Sequence, residues 1–508
     1  MRGVDRGDRE DLGLSGQENP DGFADALANL AASGILADSE VLADVTRSED
    51  PTEILADEVE LEERMRQIAA EISSRAPEHD VQPSLDRVRR AADYLGNPQR
   101  SYRSVHITGT NGKTSTARMI ASLITETGLR VGRFTSPHMH TMRERISIDG
   151  EPIDRRTFIE IWDEVLPVIE LVDAESTAGG GPPMSTFEIY AILAYAAFAD
   201  APIDVAVVEV GMGGTWDATN IIDADVAVLT TVEVDHERFL GSTRADIAAE
   251  KLGIVGPGSV LVSALQHEDV LPLVADRIAE TGARLILEGR DIRLEDRVVG
   301  VGGQMITVST PAGRYTDVPV SLLGAHQGRN AVLAIGAVEA LFSTGALSGQ
   351  VVEQALMAIT SPGRLETVRT SPTIVVDGAH NPAGIAASMI AFKEAFPGPA
   401  TAVVGAMADK NVDDMLGLIE PHVDAIVVTR VPHPRAMEVD ELYDLAVEAF
   451  GEDRVHRDED LPGAIVEATN LAESGNEEEL TAPVTIVIGS IELAARAREL
   501  AGKGVRSA

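Results

Sequence analysis

The segment "VHITGTNGKTSTARMI", residues 105–120, limits what this chain can fold into more than any other. Val105 and Ile107 alternate as in a short strand, whereas Met119, Ile120, Leu123 and Ile124 recur at helical spacing. Strand, glycine loop and helix form the setting in which backbone N–H groups converge on phosphate oxygens at a helix N-terminus. The standard loop, G-x-x-x-x-G-K-[ST], would need glycine where Ile107 stands, so this loop is a variant whose first glycine is Gly109. In it, Gly109, Thr110, Asn111 and Gly112 would surround the phosphates. Lys113 would add a point charge toward the β- and γ-phosphates, and Thr114 a hydroxyl near Mg²⁺.

Composition narrows the rest. A chain of 508 residues with 44% apolar content can build more than one cored domain. No run approaches the ~18 apolar residues of a membrane-spanning helix. The opening "MRGVDRGDREDLG" lacks the apolar stretch of a secretory signal, so the expected location is the cytoplasm. The absence of cysteine leaves only oxygen and nitrogen groups for metal or nucleophilic chemistry. A net charge of −40 argues against nucleic acid and anionic membranes as partners. Only five of the 42 basic residues are lysine, at 113, 251, 393, 410 and 503. Arginine serves wherever a positive charge suffices, so each lysine is a candidate for a task needing a compact or deprotonatable amine. Lys393 and Lys503 read as surface residues.

Three regions are expected. Residues 1–60, with 16 acidic and 4 basic residues and Phe23 as the one aromatic, read as a disordered acidic extension. Residues 61–360 hold short Val- and Ile-rich runs, "VGRFT", "IDVAVVEVG", "ADVAVLTTVEVDH" and "SVLVSA", alternating with helical stretches. This is the pattern of a mostly parallel α/β sheet. A strand-rich stretch over residues 283–321 suggests an antiparallel insertion, and "TAGGGPPM" a mobile loop. Residues 361–508 repeat the α/β alternation in a smaller unit through "PTIVVDGAH", "TAVVGAM", "DAIVVTR" and "VTIVIGS".

The stretch "VVEVGMGGTWDATNIIDADVAVLTTVEVDHERFLG" places Glu209 at one strand end and Asp235 and His236 at the next. Ligands of open parallel sheets sit at such carboxyl ends, so Glu209, His236 and the phosphate loop are expected to share a crevice. A carboxylate and an imidazole facing phosphates suit Mg²⁺ or Mn²⁺. Lys251 follows in a helix, without a role that spacing alone assigns.

Taken with "TSPHMHTMRERI", "STFE", "EKLGIV", "GAHQGRN", "SPGRLE" and "DGAHNPAG", these segments resemble, over about residues 80–500, the folylpolyglutamate synthase and dihydrofolate synthase family of the Mur ligase superfamily. The resemblance implies a Mur-ligase-like P-loop ATPase domain with a mostly parallel sheet, followed by a smaller Rossmann-like α/β domain. It implies ATP at Gly109, Thr110, Asn111, Gly112, Lys113 and Thr114, completed by Asn330, Arg364 and Asp377. It also implies two Mg²⁺ sites drawing on Ser136, Glu209, His236 and a carbamylated Lys251, with K⁺ as a further ion. Lys113, Lys251, His236 and His380 would then be the catalytic set. The pterin-bearing substrate would lie on Met184, Ser185, Thr186, Phe187, Trp216, Asp217 and Ala218.

The implied reaction is ATP-dependent amide formation between L-glutamate and dihydropteroate or the glutamate tail of tetrahydrofolate. It runs through an acyl phosphate, with Arg364 and Asp377 linking ATP binding to domain closure. Separately, the sequence has no obvious interface helix, so a monomer is the default expectation. A Mur-type ligase acting on a UDP-muramoyl peptide shares the ATP and metal residues, but the "TSPH" to "RERI" and "STFE" segments favour folate. A P-loop GTPase switch would need an N-K-x-D motif, which the sequence lacks. The acidic extension, Trp216 and the "GGGPP" loop depart from the family pattern.

Overall fold

The computed structural model describes residues 51–77, 83–343, 345–474 and 481–503. Most of the expected extension therefore lies outside the described residues. What is described of it corrects the expectation: a helix runs over Pro51–Ser73, so its start precedes the expected boundary at residue 60. Met65, Ile68 and Ile72 bury one face of that helix, and Arg155 reaches back to Glu58 at 2.9 Å. The buried face lies beyond residue 60, and residues 51–60 extend the same helix toward its N-terminus.

The Val- and Ile-rich runs form an eight-stranded sheet in the order β4-β3-β2-β5-β1-β6-β7-β8. Its strands are β1 (Arg103–Thr108), β2 (Val131–Phe134), β3 (Ile146–Ile148), β4 (Glu151–Pro152), β5 (Val205–Glu209), β6 (Val226–Leu229), β7 (Val260–Ser263) and β8 (Arg284–Leu287). The run from β2 to β8 is parallel, and β3 and β4 extend it antiparallel. Side chains alternate across the pleat, so Val105, Ile107, Val205 and Val207 pack under the helices Lys113–Thr125 and Ala325–Phe342. Phe134, Ala206 and Val208 face the helices Arg155–Ala178 and Thr186–Asp200. Both faces are covered, which is why these strands read as continuous apolar runs.

The strand-rich stretch divides. Its first strand, β8, joins the parallel sheet, while β9 (Arg293–Gly300), β10 (Gly303–Ser309) and β11 (Arg314–Val320) form a separate antiparallel sheet. A third sheet follows in the order β12-β13-β17-β14-β15-β16, parallel except for the β12–β13 pair. Its strands are β12 (Glu366–Thr370), β13 (Thr373–Val376), β14 (Ala400–Val404), β15 (Ala425–Val428), β16 (Val455–Arg457) and β17 (Val484–Ile488).

Two expectations change. The apolar run from Ala227 to Val234 does not stay in the sheet: β6 stops at Leu229, because Thr231 O accepts from the Thr110 N–H at 2.8 Å. Asp235 and His236 thus lie in a loop beyond the strand. The segment "TAGGGPPM" is pinned rather than free, for the Ser176 hydroxyl donates to Pro182 O at 2.6 Å and the Gly181 N–H to Ser176 O at 2.8 Å.

The "STFE" segment shows how a helix start positions a cleft wall. Ser185 caps the helix Thr186–Asp200, and Glu188 returns a hydrogen bond to the Ser185 N–H at 2.8 Å. Arg87 donates to the buried Glu188 at 3.1 Å. Removing one partner of a buried pair leaves the other charge uncompensated. Arg87→Met is therefore expected to lower stability by about 3 kcal/mol in urea unfolding; a change under about 0.5 kcal/mol would contradict this.

Candidate active site

The carboxyl ends of β1, β5 and β6 open on one side of the sheet, where the strand order reverses. There a cleft of about 950 Å³ runs between the first and third sheets. Every site residue named from the sequence lines it except Met184. Met184 is a correction: it is fully buried in the core with Ile189. Preceding the helix cap, it packs with the fourth helical residue as a hydrophobic staple, which turns it away from the cleft.

The phosphate loop bends only because two residues lack a Cβ. Gly109 has φ +145, and a Cβ there would lie 1.8 Å from Thr230 Oγ1; Gly112 has φ +86, with Asn330 Oδ1 at 2.8 Å from the same atom. Lys113 folds back over the loop, donating to Gly109 O at 3.1 Å and Thr110 O at 3.3 Å. Lys251 donates to the same Gly109 carbonyl at 2.8 Å. Burial, helped by the charge of Lys113, lowers the Lys251 amine to about 7, against the opposing pull of Asp235, Asp217 and Glu250. The lowered value favours the uncharged amine more than an exposed lysine would.

Glu209 is 1% exposed. Thr114 Oγ1 lies 2.9 and 3.0 Å from its two oxygens, and the Ser136 N–H donates to it at 3.4 Å. Burial raises its pKa, while Lys113, these hydrogen bonds and Arg364 oppose the rise. Its hydrogen-bond partners are a hydroxyl and a backbone N–H, an arrangement that leaves the carboxylate able to hold a cation.

His236 adopts a left-handed backbone, φ 53 and ψ 37. Its side chain is 41% exposed, and desolvation of the rest, then the charges of Lys410, Lys113 and His380, lower the imidazole pKa despite Asp235, which favours the neutral ring. Across the cleft, Asp377 accepts from the N–H groups of Leu365 at 2.7 Å and Ala379 at 2.8 Å, and from the Ser388 hydroxyl at 2.9 Å. It holds the turns that carry Arg364 and His380 toward the loop. His380 is anchored by its Nδ1, which sits 2.9 Å from Gly378 O. Burial and the charge of Lys410 lower its pKa.

Phe187, Trp216 and Ala218 add apolar side chains to the cleft lining. Phe187 stacks close to Gly211, where a Cβ would stand 2.4 Å from the ring. Gly214 lets its turn approach the helix Arg244–Lys251, for a Cβ would meet Lys251 O at 2.6 Å. Thr186 donates to Ile72 O at 3.0 Å and so ties this wall to the first helix. Asp217 faces its own turn, accepting from Met212 N–H at 2.9 Å and Thr219 N–H at 3.0 Å. Sequence reasoning gave no role to Arg145, which lies 4.5 Å over the Tyr190 ring and donates to His138 Nδ1 at 2.8 Å. It also gave none to Asn381 or Lys410. Asn381 lies inside "DGAHNPAG", and the rarity of lysine was the signal for Lys410.

Two matched regions state the class. Residues 167–338 match the Mur ligase middle domain and residues 363–489 the Mur ligase glutamate ligase domain. With this fold and loop, the chain is an ATP-dependent ligase of the Mur type. It is 43% identical over 451 residues to the dihydrofolate synthase/folylpolyglutamate synthase of Mycobacterium tuberculosis, covering 85% of this chain and 93% of that protein. It is 37% identical over 346 residues to the folylpolyglutamate synthase of Lacticaseibacillus casei, covering 68% of this chain and 80% of that protein. The structure of the Mycobacterium tuberculosis folylpolyglutamate synthase complexed with ADP and AMPPCP superposes with a TM-score of 0.83 at 41% identity, over 87% of this chain and 99% of that one. An FPGS–AMPPCP–folate complex gives a TM-score of 0.73 at 32% identity, over 86% and 99%. The chain belongs to the dihydrofolate synthase/folylpolyglutamate synthase family. Among the described residues no helix is long and apolar enough to cross a membrane.

A buried network supports the Trp216 turn. The Thr219 hydroxyl donates to Asp217, so the His106 nitrogen 2.8 Å from it, Nε2, must carry a proton and donate. Burial lowers His106 to about 3. The unfolded chain binds a second imidazole proton near 6.5, so the stabilising effect of neutral His106 is complete above that value and is lost as pH falls from 6.5 toward 3. His106→Gln is expected to reduce the loss of stability between pH 6.5 and 5 by about 1–2 kcal/mol, measured by urea unfolding at each pH. An unchanged pH profile would contradict the assignment.

Proposed function

We propose that this ligase joins the amine of L-glutamate to a pterin-bearing carboxylate, adding the first glutamate to dihydropteroate and later ones to the tail of tetrahydrofolate. The observation that carries the reading is the meeting, in one cleft, of the phosphate loop and the buried Glu209 with a wall formed by Phe187 and Trp216. The naming of the Mycobacterium tuberculosis relative for both activities supports the two-acceptor form.

A carboxylate resists attack by an amine because its carbon already bears two electron-rich oxygens. Transfer of the γ-phosphoryl group of ATP to one of those oxygens releases ADP and makes the carbon electrophilic. The glutamate nitrogen then bonds to that carbon, loses a proton, and expels phosphate that retains one acceptor oxygen. Lys113 and Arg364 supply fixed positive charge to the transferring group, chiefly a positioning and electrostatic task. Asn330 supports the loop at Gly112, and Asp377 holds the turns of Arg364 and His380.

Thr114, Ser136, Glu209 and His236 offer hydroxyl, carboxylate and imidazole donors with a single negative charge. Among the described residues no three His, Asp or Glu side chains group around a metal position, which fits Mg²⁺ that keeps waters and phosphate oxygens as ligands. When bound, the ion would neutralise charge on the phosphate oxygens. The lowered Lys251 amine fits carbamylation by CO₂, which replaces a cation by a carboxylate-like group suited to a second Mg²⁺.

Dihydropteroate labelled with ¹⁸O in its carboxylate is expected to pass one ¹⁸O into the phosphate formed, read by mass spectrometry, with one dihydrofolate per ADP. Phosphate free of label would overturn the acyl-phosphate route. Lys113→Met is expected to lower kcat/KM by about 10²–10³-fold in the same assay.

A further inference from the structure

One cleft lysine has no task in the reaction described above. Lys410 follows β14 in a turn held by a hydrogen bond from the Ala408 N–H to Arg435 O at 2.9 Å and by an Arg435–Asp409 ion pair at 3.1 Å. From there its Nζ reaches across the cleft to Asp235 Oδ1 at 2.7 Å, with side chains only 13% and 9% exposed. The same Asp235 oxygen accepts from the His236 N–H at 2.8 Å. The other oxygen accepts from Asn381 Nδ2 at 2.9 Å.

Asn381 in turn ties three places together. Its Oδ1 caps the helix Pro382–Ala395 through the Gly384 N–H at 2.8 Å. It also exchanges reciprocal amide hydrogen bonds with Asn111 of the phosphate loop, each 3.2 Å. Lys410, Asp235, Asn381 and Asn111 thus form one chain of contacts from the third sheet, over the His236 loop, to the phosphate loop.

The choice of lysine follows from this geometry. A guanidinium prefers to take both oxygens of a carboxylate at once, which would compete with Asn381 for Oδ2. A compact ammonium occupies Oδ1 and leaves Oδ2 to the asparagine. In a chain with only five lysines, this is a place where arginine does not substitute.

We propose that Lys410 is a positioning residue: its pairing with Asp235 latches the third sheet onto the phosphate loop and fixes the left-handed backbone of His236 for phosphoryl transfer. With the latch made, water is kept from the activated carboxylate until glutamate arrives. With it broken, the loop of His236 loosens and the acyl phosphate is hydrolysed to the starting carboxylate and phosphate, so ATP is consumed without amide. This second consequence rests on the acyl-phosphate reading; the first does not.

The test uses the full chain with AMPPCP, and then with ATP, dihydropteroate and glutamate. In Lys410→Met, amide hydrogen exchange over residues 235–241 is expected to rise about ten-fold with AMPPCP, while exchange in the eight-stranded sheet stays unchanged. Unchanged exchange over 235–241 would overturn the latch whatever the chemistry. In turnover, phosphate released per amide formed is expected to rise about three-fold or more in Lys410→Met, to a similar level in Asp235→Asn, and no further in the double variant. Lys410→Arg, which keeps the charge and guards against a folding defect, is expected to give an intermediate ratio. A ratio of one in Lys410→Met, when the wild-type enzyme passes ¹⁸O to phosphate, would overturn the proposed role in turnover. Wild-type phosphate free of label would instead sink the acyl-phosphate reading, with the exchange result still deciding the latch.

Discussion

The hydrogen bond from Thr114 to Glu209 is the contact on which the rest of the site depends. It joins the first turn of the helix after the phosphate loop to the last residue of β5, across two adjacent parallel strands. A carboxylate this deeply buried is unfavourable unless something cationic completes it. The fold supplies a hydroxyl and an N–H to orient Glu209, and leaves its remaining capacity facing the cleft. The glycines at 109 and 112 let the loop close against Thr230 and Asn330, which sets Lys113 and Thr114 on either side of the same space. Sheet order, loop shape and charge therefore converge on one point at the strand ends.

A second constraint is that the cleft is lined by groups from two sheets. Gly109 to Thr114, Glu209 and Lys251 come from the first, whereas Arg364, Asp377 and His380 come from the segment leading into and through the third. Contacts away from the cleft also join the third-sheet unit to the rest, including the Arg297–Glu394 pair at 2.6 Å, from the second sheet to the helix Pro382–Ala395, and the contact of Arg498 Nη1 with His140 Nε2 at 2.6 Å. Such surface pairs add little stability individually. Their effect is on orientation, whereas the Lys410–Asp235 contact lines the cleft itself.

Much of this was legible before any coordinates, for a physical reason. Parallel strands covered on both faces leave Val- and Ile-rich apolar runs, so β5, β6, β7, β13, β14, β15 and β17 stand out in the sequence. Strands such as β3, β4, β12 and β16 are short edge or near-edge elements without that signature. The end of β6 was misread because apolar residues continue to Val234, while the actual stop is set by the phosphate loop pairing with Thr231, about 120 residues away in sequence. Met184 sits beside the cap that shapes the cleft, but the pattern of letters cannot say that its side chain turns inward. Lys410 was marked by rarity alone; its partner Asp235 lies 175 residues away, beyond the reach of any local pattern.

The central claim is that Glu209, held by Thr114, keeps a buried negative charge available for the divalent ion that accompanies ATP. Electron paramagnetic resonance of Mn²⁺ in the presence of AMPPCP measures that directly in the wild-type enzyme and in Glu209→Gln, a replacement that keeps the shape and removes the charge. The account predicts that the variant binds Mn²⁺ at least about ten-fold more weakly, with AMPPCP still bound. Equal Mn²⁺ affinity in the two proteins would contradict it.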